Sequence, residues 1–110
     1  MSFIKNFPPE TVLNLAGEIQ AAPGQIVSKT LAQSKALTLT LFAFAKGEEI
    51  STHSSAGDAM VTVLSGKGKF TIDDKSYLVE AGESIVMPAE KPHAVYAEED
   101  FKMLLIVILP

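Results

Sequence analysis

The sequence contains no cysteine. Disulfide cross-links and thiolate metal ligands are both excluded, so packing and hydrogen bonding must hold the fold. Long apolar runs are missing too. The longest, Met103 to Leu109, suits a buried strand and falls far short of the roughly 20 residues that a membrane helix needs. The first ten residues, MSFIKNFPPE, hold no apolar stretch of signal-peptide length, and the cytoplasm is the expected location. Basic charge is scarce: nine Lys and Arg stand against thirteen Asp and Glu, for a net charge of −4. Without a basic cluster, neither nucleic acid nor an anionic membrane is an expected partner. Helix signals are nearly absent. Asn14 can cap about one turn from Leu15 to Ile19, which Ala21-Ala22-Pro23-Gly24 then stops. There is no nucleophile elbow, no phosphate loop, no dinucleotide fingerprint and no internal repeat. Gly66-Lys67-Gly68 reads as a turn, because no helix follows to hold a phosphate on its N-terminus.

What is present is strand after strand. A chain of 110 residues, 47% of them hydrophobic, makes one domain with one core. Pro8-Pro9 ends a flexible lead-in over residues 1–10, and Val12-Leu13 can form a short strand. Strands are then expected over 25–31, 36–45, 50–55, 59–64, 69–72, 76–79, 84–87, 93–97 and 101–109, with turn residues between them. Asp73-Asp74-Lys75 reads as a three-residue hairpin connection. Along ALTLTLFAFA, residues 36–45, Leu37, Leu39 and Leu41 share one face while Thr38, Thr40, Phe42 and Phe44 share the other. Both faces end bulky and apolar, so both should be covered. Short strands at this spacing give an all-β sandwich or small barrel.

The two histidines of the chain, His53 and His93, stand in two glycine-bounded stretches, Gly47 to Gly66 and Gly82 to His93. Gly47 is followed by five residues and His53, with Gly66 closing that stretch; Gly82, Pro88 and His93 mark the second. In this spacing the chain resembles the cupin superfamily and its small single-domain members. The resemblance implies an all-β double-stranded β-helix, a jelly-roll barrel over residues 37–109 preceded by an N-terminal extension over 1–36. It also exposes departures. Where the family carries a second histidine, a glutamate, a glycine and an asparagine, this chain has Ser55, Ala59, Glu90 and Ala97.

Cupins with the full set hold Fe, Mn, Ni, Zn or Cu on three histidines and a glutamate. Residue by residue, only His53 and His93 carry over as candidate ligands for a metal or another ligand. Ser55 keeps its hydroxyl proton and ligates poorly, and Ala59 offers nothing. Asp58 and Glu90 are remote candidates, and alternation turns Asp58 away from the face Ala59 occupies. A divalent Zn, Ni, Fe or Mn ion is therefore expected to be weakly held or absent. The bland alternative is two neutral imidazoles in a polar pocket, bonded to Ser55, a backbone group or water. The mapping puts His53, Ser55, Ala59 and His93 near one opening, with Val61 and Val63 deeper and Val95 beyond His93, so Ser55, Ala59, Val61 and Val95 are the expected lining.

The expected function is small-molecule binding, with a sugar or a carboxylate metabolite as ligand. A metal-dependent dioxygenase, isomerase or decarboxylase is the alternative, and a regulatory or scaffolding dimer with a vestigial pocket is a third. Two-sided apolar strands also point to a homodimer joined through sheet faces and edge strands, with the N-terminal segment crossing over.

Overall fold

In the computed structural model, which describes residues 3–110, nine strands form a jelly-roll barrel of two antiparallel sheets. They are β1 (Ile26–Gln33), β2 (Leu37–Phe44), β3 (Glu49–His53), β4 (Asp58–Ser65), β5 (Lys67–Ile72), β6 (Lys75–Glu80), β7 (Ser84–Met87), β8 (His93–Ala97) and β9 (Phe101–Ile108). One sheet runs β1-β2-β9-β4-β7, the other β3-β8-β5-β6. The all-β expectation holds. The β5–β6 hairpin is tighter than expected, because Lys75 pairs with Ile72 and leaves only Asp73-Asp74 to turn. Asp73 supplies the positive φ, 53°, that a two-residue connection demands.

Alternation decides what lies between the sheets. Phe44 pairs with Phe101 and Phe42 with Met103, so these side chains point inward and the leucines of β2 point out. Phe44 and Phe101 stack with centroids 4.6 Å apart, and Phe70 meets Phe101 edge-on at 6.1 Å. All three rings are fully buried. Each such burial contributes roughly 1.5–3 kcal/mol, more than any single hydrogen bond of the ladders. This aromatic cluster packs with Val61, Val63 and Val79 in the main core between the sheets.

A second, smaller core lies outside the five-stranded sheet. Ile19, Leu31, Leu41 and Ala43 are buried there, with Phe7, Leu15 and Val27 packed against them. The cover is the N-terminal segment. Of the lead-in expected over 1–10, residues 1 and 2 lie outside the described residues. Within the rest, the Lys5 N–H donates to the Leu31 carbonyl at 2.7 Å and the Asn6 amide to the Thr30 carbonyl at 2.8 Å. The short strand expected at Val12-Leu13 does not form, and the Val12 side chain is wholly exposed. Asn14 does cap a single 3-10 turn, Leu15–Gly17, accepting from the Ala16 N–H.

Candidate functional site

His53 ends β3 and His93 begins β8, and the two residues pair directly across the sheet. Their rings sit 4.3 Å apart at 68°. His53 is exposed at the mouth, while His93 behind it is 3% exposed. A β-bulge makes this pairing. Ile50 pairs with Val95 and His53 with His93, so β3 takes three steps where β8 takes two. In a regular strand, residues three apart face opposite sides. The extra residue at Ser51-Thr52 reverses the alternation, and Ile50 and His53 both reach the barrel interior. The Ser51 carbonyl inside the bulge then accepts from Nδ1 of His53 at 2.9 Å.

His93 repeats that bond. Its Nδ1 donates to the Lys91 carbonyl, again two residues back, at 3.0 Å. A carbonyl only accepts, so each neutral ring carries its proton on Nδ1. Nε2 is left on both imidazoles as a lone-pair acceptor.

The rings border a cavity of about 260 Å³. Ser55 and Ala59 share its wall with them, Val95 and Met87 line the sides, and Phe42 and Met103 lie below. Val61 is placed differently from the other expected lining residues: it is fully buried in the core cluster and does not reach the cavity wall. Met87, Leu105 and Val107 were missed by sequence reasoning. Their period-two spacing along β7 and β9 marks an inward face, but no motif points to them. A larger groove, about 560 Å³, opens between β6 and β7 around Tyr77, Leu78 and Val86. Its polar residues are Tyr77, Glu83, Ser84 and Lys91, whereas the smaller cavity gathers both histidines and is the candidate site.

The two spare carboxylates stay out. Asp58 is exposed and accepts from the Ala89 N–H at 2.8 Å, tying β4 to the loop that carries Glu90. Glu90 is itself exposed and sits at φ 68°, the left-handed region where glycine is at ease. It occupies the position that is glycine in the family motif. Its backbone N–H donates to the Ser55 carbonyl at 2.8 Å, a bond that holds the mouth together in spite of the strained dihedral. No group of three or more His, Cys, Asp or Glu side chains converges among the described residues. Two neutral nitrogen donors do not fit a resident transition metal, which ordinarily takes three or four protein ligands.

Burial holds the proton affinity of His93 below the ordinary 6.5. The bond to the Lys91 carbonyl opposes that shift and the facing His53 adds to it. Between 6.5 and the lower native value, the unfolded chain binds a proton that the folded chain refuses, so stability falls as pH drops through that window. Above it the contribution is complete. Thermal melts between pH 7.5 and 5 are expected to fall more steeply for the wild type than for His93→Gln. Carboxylates titrate in both, so parallel curves would remove His93 as the cause.

The chain's likeness to known proteins agrees with this architecture. The family description "Cupin domain" matches residues 40–109. A conserved protein of unknown function from Streptococcus pyogenes is 50% identical, with a TM-score of 0.98 over 100% of this chain and 96% of that one. A cupin superfamily protein from Desulfitobacterium hafniense is 36% identical, with a TM-score of 0.94 over 99% of this chain and 100% of that one. A salicylate 1,2-dioxygenase from Pseudaminobacter salicylatoxidans, 20% identical with a TM-score of 0.70 over 79% of this chain and 27% of that one, shares the fold alone. Among curated proteins none matches the chain. With the family description spanning most of the barrel and both glycine-bounded histidine stretches falling where the fold requires them, the chain belongs to the cupin family.

Proposed function

We propose that this cupin binds a small molecule in the cavity between the two sheets, with His53 and His93 as its polar contacts. The observation that carries this reading is the pair of imidazoles fixed in one tautomer, both leaving Nε2 without a partner among the described residues, on the wall of an apolar cavity of about 260 Å³. A small apolar hollow with a few convergent polar groups is the usual make-up of a ligand site. A vestigial pocket would be filled by its own side chains, and a metal-dependent enzyme would need a third donor that Ser55 and Ala59 do not supply. Elemental analysis of the untagged protein should give far less than one transition metal per chain. Methyl NMR against a fragment set should place hits on Ala59, Met87 and Val95. One firmly bound metal ion per chain would sink this reading in favour of the enzyme.

The same barrel supports a proposal for its partner. The N-terminal segment covers only part of the outer sheet face. From Leu39, which packs against the covered core, an uncharged row continues through Ile106, Met60 and Val86 across β9, β4 and β7, beside the Leu37–Ile108 pair. Met60, Val86 and Ile108 are 44–54% exposed. A second copy, related by a two-fold axis, can set this row against itself, with Asp58, the β4 partner of Ile108, at its edge. Light scattering should give twice the chain mass of 11.8 kDa at micromolar concentration, and Met60→Lys should halve it. A monomeric wild type would count against the dimer.

A further inference from the structure

We infer that the cavity takes a compact, uncharged molecule of about eight non-hydrogen atoms bearing one hydroxyl group, an alcohol or a phenol. The inference rests on the binding reading above and names the ligand class. Size comes first. A water molecule occupies roughly 30 Å³ of liquid, so a cavity of about 260 Å³ accommodates about eight or nine non-hydrogen atoms. That is the size of a single six-membered ring with one or two substituents.

Polarity follows from the hydrogen-bond inventory. Both Nδ1 atoms are spent on carbonyls, so each neutral imidazole offers the interior one acceptor and no donor. Ser55 is different. Its Oγ accepts from the Gly57 N–H at 3.1 Å, but an accepting hydroxyl still has its own proton to give. No acceptor for that proton exists among the described residues. The polar groups on this wall therefore amount to two lone pairs and one hydroxyl proton. A single ligand hydroxyl meets the buried part of this set: it donates to Nε2 of His93 and accepts from Ser55, while Nε2 of the exposed His53 is left to water at the mouth.

A carboxylate does not match. All nine basic side chains of the protein are lysines, and none of them lines the cavity. A carboxylate would face two imidazole lone pairs with no cation to offset its desolvation. Drawing a proton onto His93 would supply one, but burial already disfavours the charged ring, and a proton on the exposed His53 would sit in solvent at the mouth, not among the apolar walls. A sugar fails for the opposite reason. Val95, Val107, Leu105 and Met87 surround the space with apolar surface, and most of a sugar's hydroxyls would be buried without partners. The expectation of a sugar or a carboxylate from the sequence thus gives way to an apolar molecule with one hydroxyl.

Three probes of matched shape test this at pH 7.5 with the full-length protein: phenol, toluene and benzoate. Methyl and imidazole NMR shifts report occupancy at Ala59, Met87, Val95 and the two histidines. Phenol should bind, toluene about tenfold more weakly for want of the hydroxyl, and benzoate more weakly still. Ser55→Ala, a half-buried position at the mouth, should weaken phenol more than toluene and so narrow the gap between them. Toluene equal to phenol, or benzoate as tight as phenol, would overturn the hydroxyl class while leaving the cavity as a binding site. No cavity shift from any of the three at millimolar concentration would overturn the binding reading itself.

Discussion

Gly66→Ala is expected to cost roughly 3–5 kcal/mol of stability, a loss at the severe end of single substitutions. Two penalties combine at this position. The backbone sits at φ 77°, where a side chain is strained. A Cβ would also lie 2.0 Å from the Asp100 carbonyl oxygen and 2.7 Å from Phe101 Cβ. Those atoms belong to backbone that leads directly into β9, whose Phe101 sits among the buried rings. They cannot move aside without unpacking that cluster. At a few degrees per kcal/mol for a domain of this size, the melting temperature should fall by about 15 °C. Gly82→Ala is the internal control. It has φ 88° but nothing within 4 Å of the added atom, so it pays the dihedral penalty alone, about 1–2 kcal/mol. Thermal or urea melts of the two variants separate the terms. Equal losses would show that the dihedral, and not the close approach of the chain entering β9, makes glycine necessary at 66.

That contrast explains why so much of the barrel was readable from residues alone. Gly66 and Gly82 both punctuate a strand pattern, and punctuation is visible in a sequence whether or not the space above the glycine is filled. The alternation along β2 fixed Phe42 and Phe44 on one side and Leu39 and Leu41 on the other, and the pairing with β9 follows it. Three things were illegible, each for a physical reason. The segment over 3–22 carries no period because it is irregular chain held by distant partners such as Leu31 and Thr30. Nothing in its local pattern marks those contacts. The β3 bulge is one residue of excess on one strand, defined only against β8. Without the partner strand, His53 and Ile50 read as residues on opposite faces. The hydroxyl-accepting character of the site was hidden for a related reason: it depends on which carbonyl each Nδ1 finds, and that is set by local backbone geometry. Composition could show two histidines, but not which nitrogen each has left to offer.

The double variant Ser55→His, Ala59→Glu is expected to convert this cavity into a firm metal site. Both positions already line it beside His53 and His93, so three imidazoles and one carboxylate would converge, a set suited to divalent first-row metals. The apo variant should be less stable than the wild type, for two reasons. Ala59 is 3% exposed, and a carboxylate at so buried a position, without a metal, costs on the order of several kcal/mol. Losing the Ser55 hydroxyl also leaves the Gly57 N–H without its acceptor, adding about 1 kcal/mol. Nickel then reverses the deficit. A ligand that binds only the folded state stabilises it by about 4 kcal/mol at a thousandfold excess over its Kd, a rise on the order of 15 °C for a domain this small. The shift should grow with the logarithm of free nickel. In the wild type two neutral nitrogens compete poorly with water for the ion, and the shift should stay within a few degrees. His53→Ala added to the double variant should weaken the response by removing one of four donors. If nickel raises the wild type as much as the double variant, other donors must reach the ion, and Asp58 would have to leave its bond to the Ala89 N–H to be one of them. Asp58→Asn, which keeps an oxygen acceptor for that N–H while removing the charge, would then lower the wild-type response. A wild-type response unchanged by Asp58→Asn, by Glu90→Gln and by His53→Ala would place the bound nickel outside the cavity.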